Sequence, residues 1–90
     1  MTKIVCFKLI SGDEVVGELK ENNGDSFVLR KPFIVLASQQ GVGLLPVMLT
    51  GKEEQDITFL KGGMATLPIP VLGDFEKHYM QKTTTLQLLT

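Results

Sequence analysis

Apolar and polar residues alternate with a period of two along most of this chain, which predicts short strands separated by turns. Ile4-Val5-Cys6-Phe7-Lys8-Leu9-Ile10 is β-branched and aromatic, with Val5, Phe7 and Leu9 on one face. Ser11-Gly12-Asp13 turns the chain into Glu14-Val15-Val16-Gly17-Glu18-Leu19-Lys20, where Val15, Gly17 and Leu19 share a face. Gly17 in mid-strand marks a bend or a close backbone approach. Glu21-Asn22-Asn23-Gly24-Asp25 contains the Asn-Gly pair of a hairpin turn. Ser26 to Arg30 forms the next strand; Pro32 interrupts it with a bulge or an edge, and Phe33 to Ala37 resumes it. Ser38 to Gly43 is expected as a polar loop and Leu44 to Thr50 as a further strand, followed by a charged loop tip from Gly51 to Asp56. Ile57 to Leu60 and Ala65 to Ile69 are two short strands around Lys61-Gly62-Gly63-Met64.

After Pro70 the period lengthens. Leu72, Phe75 and Tyr79 fall at helical spacing, with Asp74 placed to cap the first turn and Lys77 and Lys82 near the end. The pattern predicts a mainly β fold of five or so strongly bent antiparallel strands, a small barrel of the SH3 or OB size class, with a short C-terminal helix of about nine residues. The expected division is a barrel over residues 1–70, a helix over 71–82 packed on or beside it, and a flexible tail over 83–90.

Length and composition sharpen this picture. A chain of 90 residues makes one domain with a modest core. Such domains are usually supplemented by disulfides, metals or self-association. Cys6 is the one cysteine and His78 the one histidine, so an intrachain disulfide is excluded and a Cys/His zinc site is disfavoured. Self-association is left. Nine basic side chains against ten acidic give a net charge of −1, which argues against a domain that coats duplex DNA through bulk positive charge. The N-terminal run carries Lys3 and Lys8 and lacks a signal-peptide pattern, and no stretch reaches the roughly 18 apolar residues of a membrane span. These features predict a cytoplasmic protein without membrane partners.

Catalytic chemistry has no constellation here. His78 stands far in sequence from Ser11, Ser26 and Cys6, and none of these sits in a nucleophile elbow. The carboxylates of Gly12-Asp13-Glu14 and Glu53-Glu54-Gln55-Asp56 read as solvated loop charge rather than a metal site. Gly41-Val42-Gly43 and Gly62-Gly63 are too short to cradle phosphate, and Cys6 on an apolar strand reads as an inert core thiol. The expectation is a protein that is not an enzyme and takes no cofactor.

Residues 5–30, VCFKLISGDEVVGELKENNGDSFVLR, resemble the first motif of the Sm-like (LSm/Hfq) family, with Leu9, Gly12, Gly17, Leu19 and Asp25 at its marked positions. The step from Gly17 to Asp25 is one residue longer than in the family. Ile57-Thr58-Phe59-Leu60-Lys61-Gly62 followed by Ala65 to Ile69 resembles the second motif, a strand ending in a basic residue and glycine before a last apolar strand. The closest look is to the short Sm-like proteins of tailed phages, through Pro32-Phe33-Ile34-Val35, Gly41-Val42-Gly43-Leu44 and the terminal helix, which would put the protein in the host cytoplasm.

The resemblance implies a five-stranded bent barrel whose edge strands pair between subunits into a cyclic homo-oligomer of about five to seven copies. Ile57, Phe59, Ala65, Leu67 and Ile69 lie on the expected pairing strands, where Pro68 and Pro70 limit the run of hydrogen bonds. Family members often bind single-stranded RNA at the pore. Carried over, Phe27 falls at the base-stacking position and Lys61-Gly62 at the basic one, while Leu29 replaces the base-reading asparagine and Val28 the methionine. Loss of that asparagine removes discrimination between bases. The alternative is a protein-interaction ring that binds no nucleic acid, to which Leu29, the acidic balance and the apolar C-terminal segment point.

Overall fold

The alternation of the first strand buries both of its faces, and the rest of the fold follows from that. The structure, a computed structural model, describes residues 3–47 and 56–89, the side chains of 82–89 excepted. Strand β1 (Ile4–Lys8) pairs antiparallel with β2 (Glu14–Asn22), Phe7 opposite Val15 and Val5 opposite Gly17. Val5, Phe7, Val15, Phe27, Leu29 and Phe59 form one core cluster, whereas Ile4, Val16, Phe33 and Tyr79 form a second. The sheet therefore has an inner core and a further core beneath the helix. Both are edged by half-buried apolar side chains.

Strand β3 (Ser26–Ser38) is the longest and runs through the centre of the sheet. Its first part pairs on the outer side with β5 (Ile57–Leu60), and its second part with β4 (Gly41–Pro46). Pro32 lies where one outer partner gives way to the other. On the β2 side, Val16 pairs with Phe33 and Glu18 with Arg30, so Gly17 faces two residues, Lys31 and Pro32. This is a bulge, and it resolves the choice the sequence left between bulge and edge: a proline without an N–H sits inside the sheet at the point where the ladder is already broken. Lys31 takes φ 50°, a left-handed conformation that costs a non-glycine residue about 1–3 kcal/mol. Gly17 makes the close approach expected of it. A Cβ there would lie 2.8 Å from Leu29 Cδ2 and 3.2 Å from the Pro32 Cα. A second irregularity falls between Leu19 and Glu21 and bends β2 further.

The segment Ser38 to Gly43, expected as a polar loop, is instead the tip of the β3–β4 hairpin. Ser38 pairs with Gly41 across Gln39 and Gln40. The Ser38 hydroxyl donates to the Gly41 carbonyl at 3.1 Å and accepts from the Gln40 N–H at 3.2 Å, and Gly41 has φ 122°. A local side-chain grip and one glycine thus convert an apparent loop into a tight turn. The later part of the strand expected over Leu44 to Thr50, and most of the charged tip from Gly51, lie outside the described residues.

After β5 the chain makes a short 3-10 turn (Lys61–Gly63) and returns along β1, where Met64 bridges to Leu9 and β6 (Ile69–Pro70) pairs with Val5 and Cys6. Of the strand expected from Ala65 to Ile69, only Ile69 lies in β6. Ala65 and Thr66 both direct their N–H to the Lys8 carbonyl, the Thr66 hydroxyl accepts the Lys8 N–H at 2.8 Å, and Pro68 and Pro70 have no N–H to give. The result is a six-stranded antiparallel sheet in the order β4-β3-β2-β1-β6 with β5 on β3. The 3-10 turn and the segment from Met64 to Pro68 carry the chain from β5 to β6, and no ladder closes the sheet among the described residues.

Helix α1 (Gly73–Leu89) has 17 residues and extends past Lys82 through the segment expected as a tail. No proline or glycine stops it after Gly73, and the threonines from Thr83 to Thr85 each cost only about 0.5 kcal/mol once the helix is propagating. Phe75 and Tyr79, one turn apart, pack on the second core, with the Tyr79 ring edge-on to Phe33 at 6.2 Å. Leu72, expected on this face, precedes the helix and is 82% exposed. Among the described residues no helix is long and apolar enough to cross a membrane.

Candidate functional site

Three turns converge at one end of the sheet. In the β1–β2 turn the Leu9 N–H donates to the Asp13 carbonyl at 2.8 Å and the Gly12 N–H to the Leu9 carbonyl at 2.9 Å. Gly12 has φ 96°, which admits glycine without strain. In the β2–β3 turn the Asn23 N–H donates to the Ser26 carbonyl at 2.9 Å, and the Gly24 N–H to Asn22 Oδ1 at 3.0 Å. The 3-10 turn is tied to both: the Lys61 N–H donates to the Asp25 carbonyl at 2.9 Å and the Ile10 N–H to the Gly63 carbonyl at 3.0 Å. Lys61 and Gly62 are exposed, as are Asp13, Asn22, Asn23 and Asp25.

These turns carry one exposed lysine, Lys61, and two exposed aspartates, Asp13 and Asp25. They offer a point cation, carboxamides and backbone groups to a ligand, but they are not a basic patch. Sequence reading identified Lys61 and Gly62 and the hairpin at Asn23-Gly24, but not that Asp25 sits against Lys61. That contact joins residues far apart in the chain, and nothing local announces it.

Phe27, the base-stacking candidate of the resemblance, is buried. Its side chain is 4% exposed and packs in the inner core beside Phe7 and Phe59, whose rings meet edge-on at 5.1 Å. Period-two alternation puts Phe27 and Leu29 inward together, leaving Ser26, Val28 and Arg30 for the outer side. In this chain Phe27 has no free face on which a base could stack, and Leu29 is wholly buried.

The expected interface residues divide in the same way. Phe59 is in the core and Ile57 packs against it, because β5 registers Phe59 on Phe27 and Ile57 on Leu29. Leu67 (53% exposed) and Ile69 (59%) face solvent, and Ala65 is exposed. Two further apolar side chains join them, Leu60 at 68% and Ile10 at 72%. Parity explains why Leu60 was missed: in a strand whose Phe59 faces inward, Leu60 must face outward.

Elsewhere, Cys6 is half-buried, and burial, with the Glu14 carboxylate adding to it, pushes its thiol up, away from the reactive thiolate. The His78 ring lies 5.9 Å from Phe75, and its buried Nε2 has no hydrogen-bond partner. Among the described residues no group of three or more His, Cys, Asp or Glu side chains is gathered to hold a metal ion. No protein-family model matches this chain, and no curated protein matches its sequence.

Proposed function

We propose that this chain is a non-enzymatic Sm-like small barrel that assembles head to tail into a cyclic homo-oligomer, with the Lys61 turns gathered where they can meet single-stranded RNA. The observation that carries the assembly is the pair of open margins on the curled sheet. β5 pairs with β3 on one side and the β6 segment with β1 on one side, and neither has a second partner among the described residues. Leu60 on β5 and Ile69 on β6 are exposed apolar side chains on these margins, and neither strand itself carries a charged residue. Unpaired, uncharged edges of this kind template pairing with another chain, and two different edges on one subunit generate a ring when the rotation closes. The bulge of β3 opposite Gly17 and the bulge of β2 at Lys20 support the barrel reading.

RNA binding rests on Lys61 and its neighbours alone, since Phe27 and Leu29 are core residues. Contact with phosphate through a ring of lysines predicts affinity that falls with salt and little preference among bases. Light scattering at micromolar concentration should return a multiple of the subunit mass; a monomer rejects the ring. Fluorescent uridine- and adenosine-rich oligomers should bind the wild type in a salt-sensitive manner and Lys61→Ala several-fold more weakly. Absent binding, or binding equal in the two proteins and insensitive to salt, rejects the RNA role.

A ring that binds protein and no nucleic acid is the second reading. The burial of Phe27 and Leu29 and the placement of Asp13 and Asp25 in the Lys61 cluster favour it. It requires partners that survive nuclease treatment, and fails if every recovered partner is lost with the nucleic acid.

A further inference from the structure

The tip of the β2–β3 hairpin is built from a pair of residues that can react with each other. Asn23 and Gly24 are both exposed, and an atom added at the Gly24 Cβ position would meet nothing within 4 Å. Glycine leaves its own backbone nitrogen unshielded and lets the chain swing that nitrogen toward the preceding side chain. Two grips oppose this movement. The Gly24 N–H is held by Asn22 Oδ1 at 3.0 Å, and the Asn23 carboxamide donates from Nδ2 to Ser26 Oγ at 3.4 Å, the weaker of the two. The next residue, Asp25, accepts the Lys61 N–H through its carbonyl, so the hairpin tip lies against the 3-10 turn.

We propose that Asn23–Gly24 is a site of spontaneous deamidation, restrained by the Asn22 side chain, whose product adds a carboxylate to the turn cluster that holds Lys61. The Gly24 nitrogen loses its proton to solvent base and attacks Asn23 Cγ. The N–Cγ bond forms, the Cγ–Nδ2 bond breaks, and Nδ2 takes up a proton and leaves as ammonia, closing a cyclic succinimide. Water then adds at one of the two ring carbonyls and opens the ring to aspartate or to isoaspartate. Nothing is oxidised or reduced; one water enters and one ammonia departs. Either product exchanges a neutral side chain for an anion beside Asp25. Isoaspartate also inserts a methylene into the backbone, which disturbs the Asn23–Ser26 pairing at the end of the hairpin. The modification stands on the chemistry of the turn and does not depend on what the cluster binds.

The test uses the full chain and three proteins: wild type, Asn22→Ala and Asn23→Gln, incubated warm at mildly alkaline pH. Isoaspartate is read by enzymatic methyl labelling of the peptide that contains residues 23 and 24, and the new charge by an acidic shift on ion exchange. Wild type should accumulate label in that peptide and release ammonia, and Asn23→Gln should not. Asn22→Ala should react about threefold to tenfold faster, the rate equivalent of one ordinary hydrogen bond removed from the attacking nitrogen. A peptide that stays unlabelled in both wild type and Asn22→Ala overturns the site. Equal rates in those two proteins overturn the restraint by Asn22.

Discussion

Tyr79 shows how much one side chain can settle. Its ring is 2% exposed and its hydroxyl donates to the Lys31 carbonyl at 2.8 Å and toward the Arg30 carbonyl at 3.3 Å, the two backbone groups turned outward by the β3 bulge. Tyr79→Phe keeps the ring packing and leaves these carbonyls short of a donor, so urea denaturation should show a loss of about 1–3 kcal/mol. Burial above all, with the Glu18 carboxylate adding, raises the Tyr79 hydroxyl well above its ordinary value of 10.0, against smaller lowering by a Glu18 backbone hydrogen bond and Arg30. The folded state therefore holds the neutral phenol more tightly than the unfolded state does. Its contribution is full below about pH 10 and is lost as the pH rises beyond it, so stability should fall more steeply on the alkaline side in wild type than in Tyr79→Phe. Gly17→Ala makes a complementary test at the same bulge. The new methyl would press on buried Leu29 and on the Pro32 backbone, and the melting transition should report about 1–3 kcal/mol of destabilisation.

At the scale of elements, strand existence followed from local pattern, while strand extent did not. β1 and β2 were legible because β-branched and aromatic residues alternate between two turns, and the turns were legible from Gly12 and Asn23-Gly24. The β3–β4 hairpin was not, because Ser-Gln-Gln-Gly has loop composition and becomes a turn through the Ser38 hydroxyl. The helix was placed by Phe75 and Tyr79, but its far end lacks a stop signal. β5 and the β6 segment carry the proposed assembly, and their outward side chains give its sharpest test. Ile69→Lys puts a charge on an exposed edge position without touching either core, so the subunit should fold with an unchanged circular-dichroism spectrum while its mass by light scattering falls to that of the monomer. Phe59→Ala, by contrast, opens a cavity in the inner core and should cost about 3–5 kcal/mol in chemical denaturation.

Taken whole, the molecule is a curled sheet with a core on each face and open edges at its margins. A chain of this length has little stability to spare, so subunit pairing should be linked to folding: the melting temperature should rise with protein concentration if the margins pair, and stay constant if they do not. The two cores are drawn from the apolar residues of the strands and the helix, while others of that set, Leu60 and Ile69 among them, are exposed. Which face each one meets is another matter. Phe27 and Lys61 are both candidates of the resemblance, yet one packs in the inner core with Phe59 and the other is exposed, its N–H on the Asp25 carbonyl. Strand order, register and the bulge at Lys31 decide this, through contacts between residues dozens of positions apart. The amino-acid pattern specified a β protein with one helix, its turns and its apolar set, because each is a short-range consequence of side-chain shape. The pairing of β3 with both β4 and β5, the second core under Tyr79 and the meeting of three turns around Lys61 arose from long-range packing, which no local window contains.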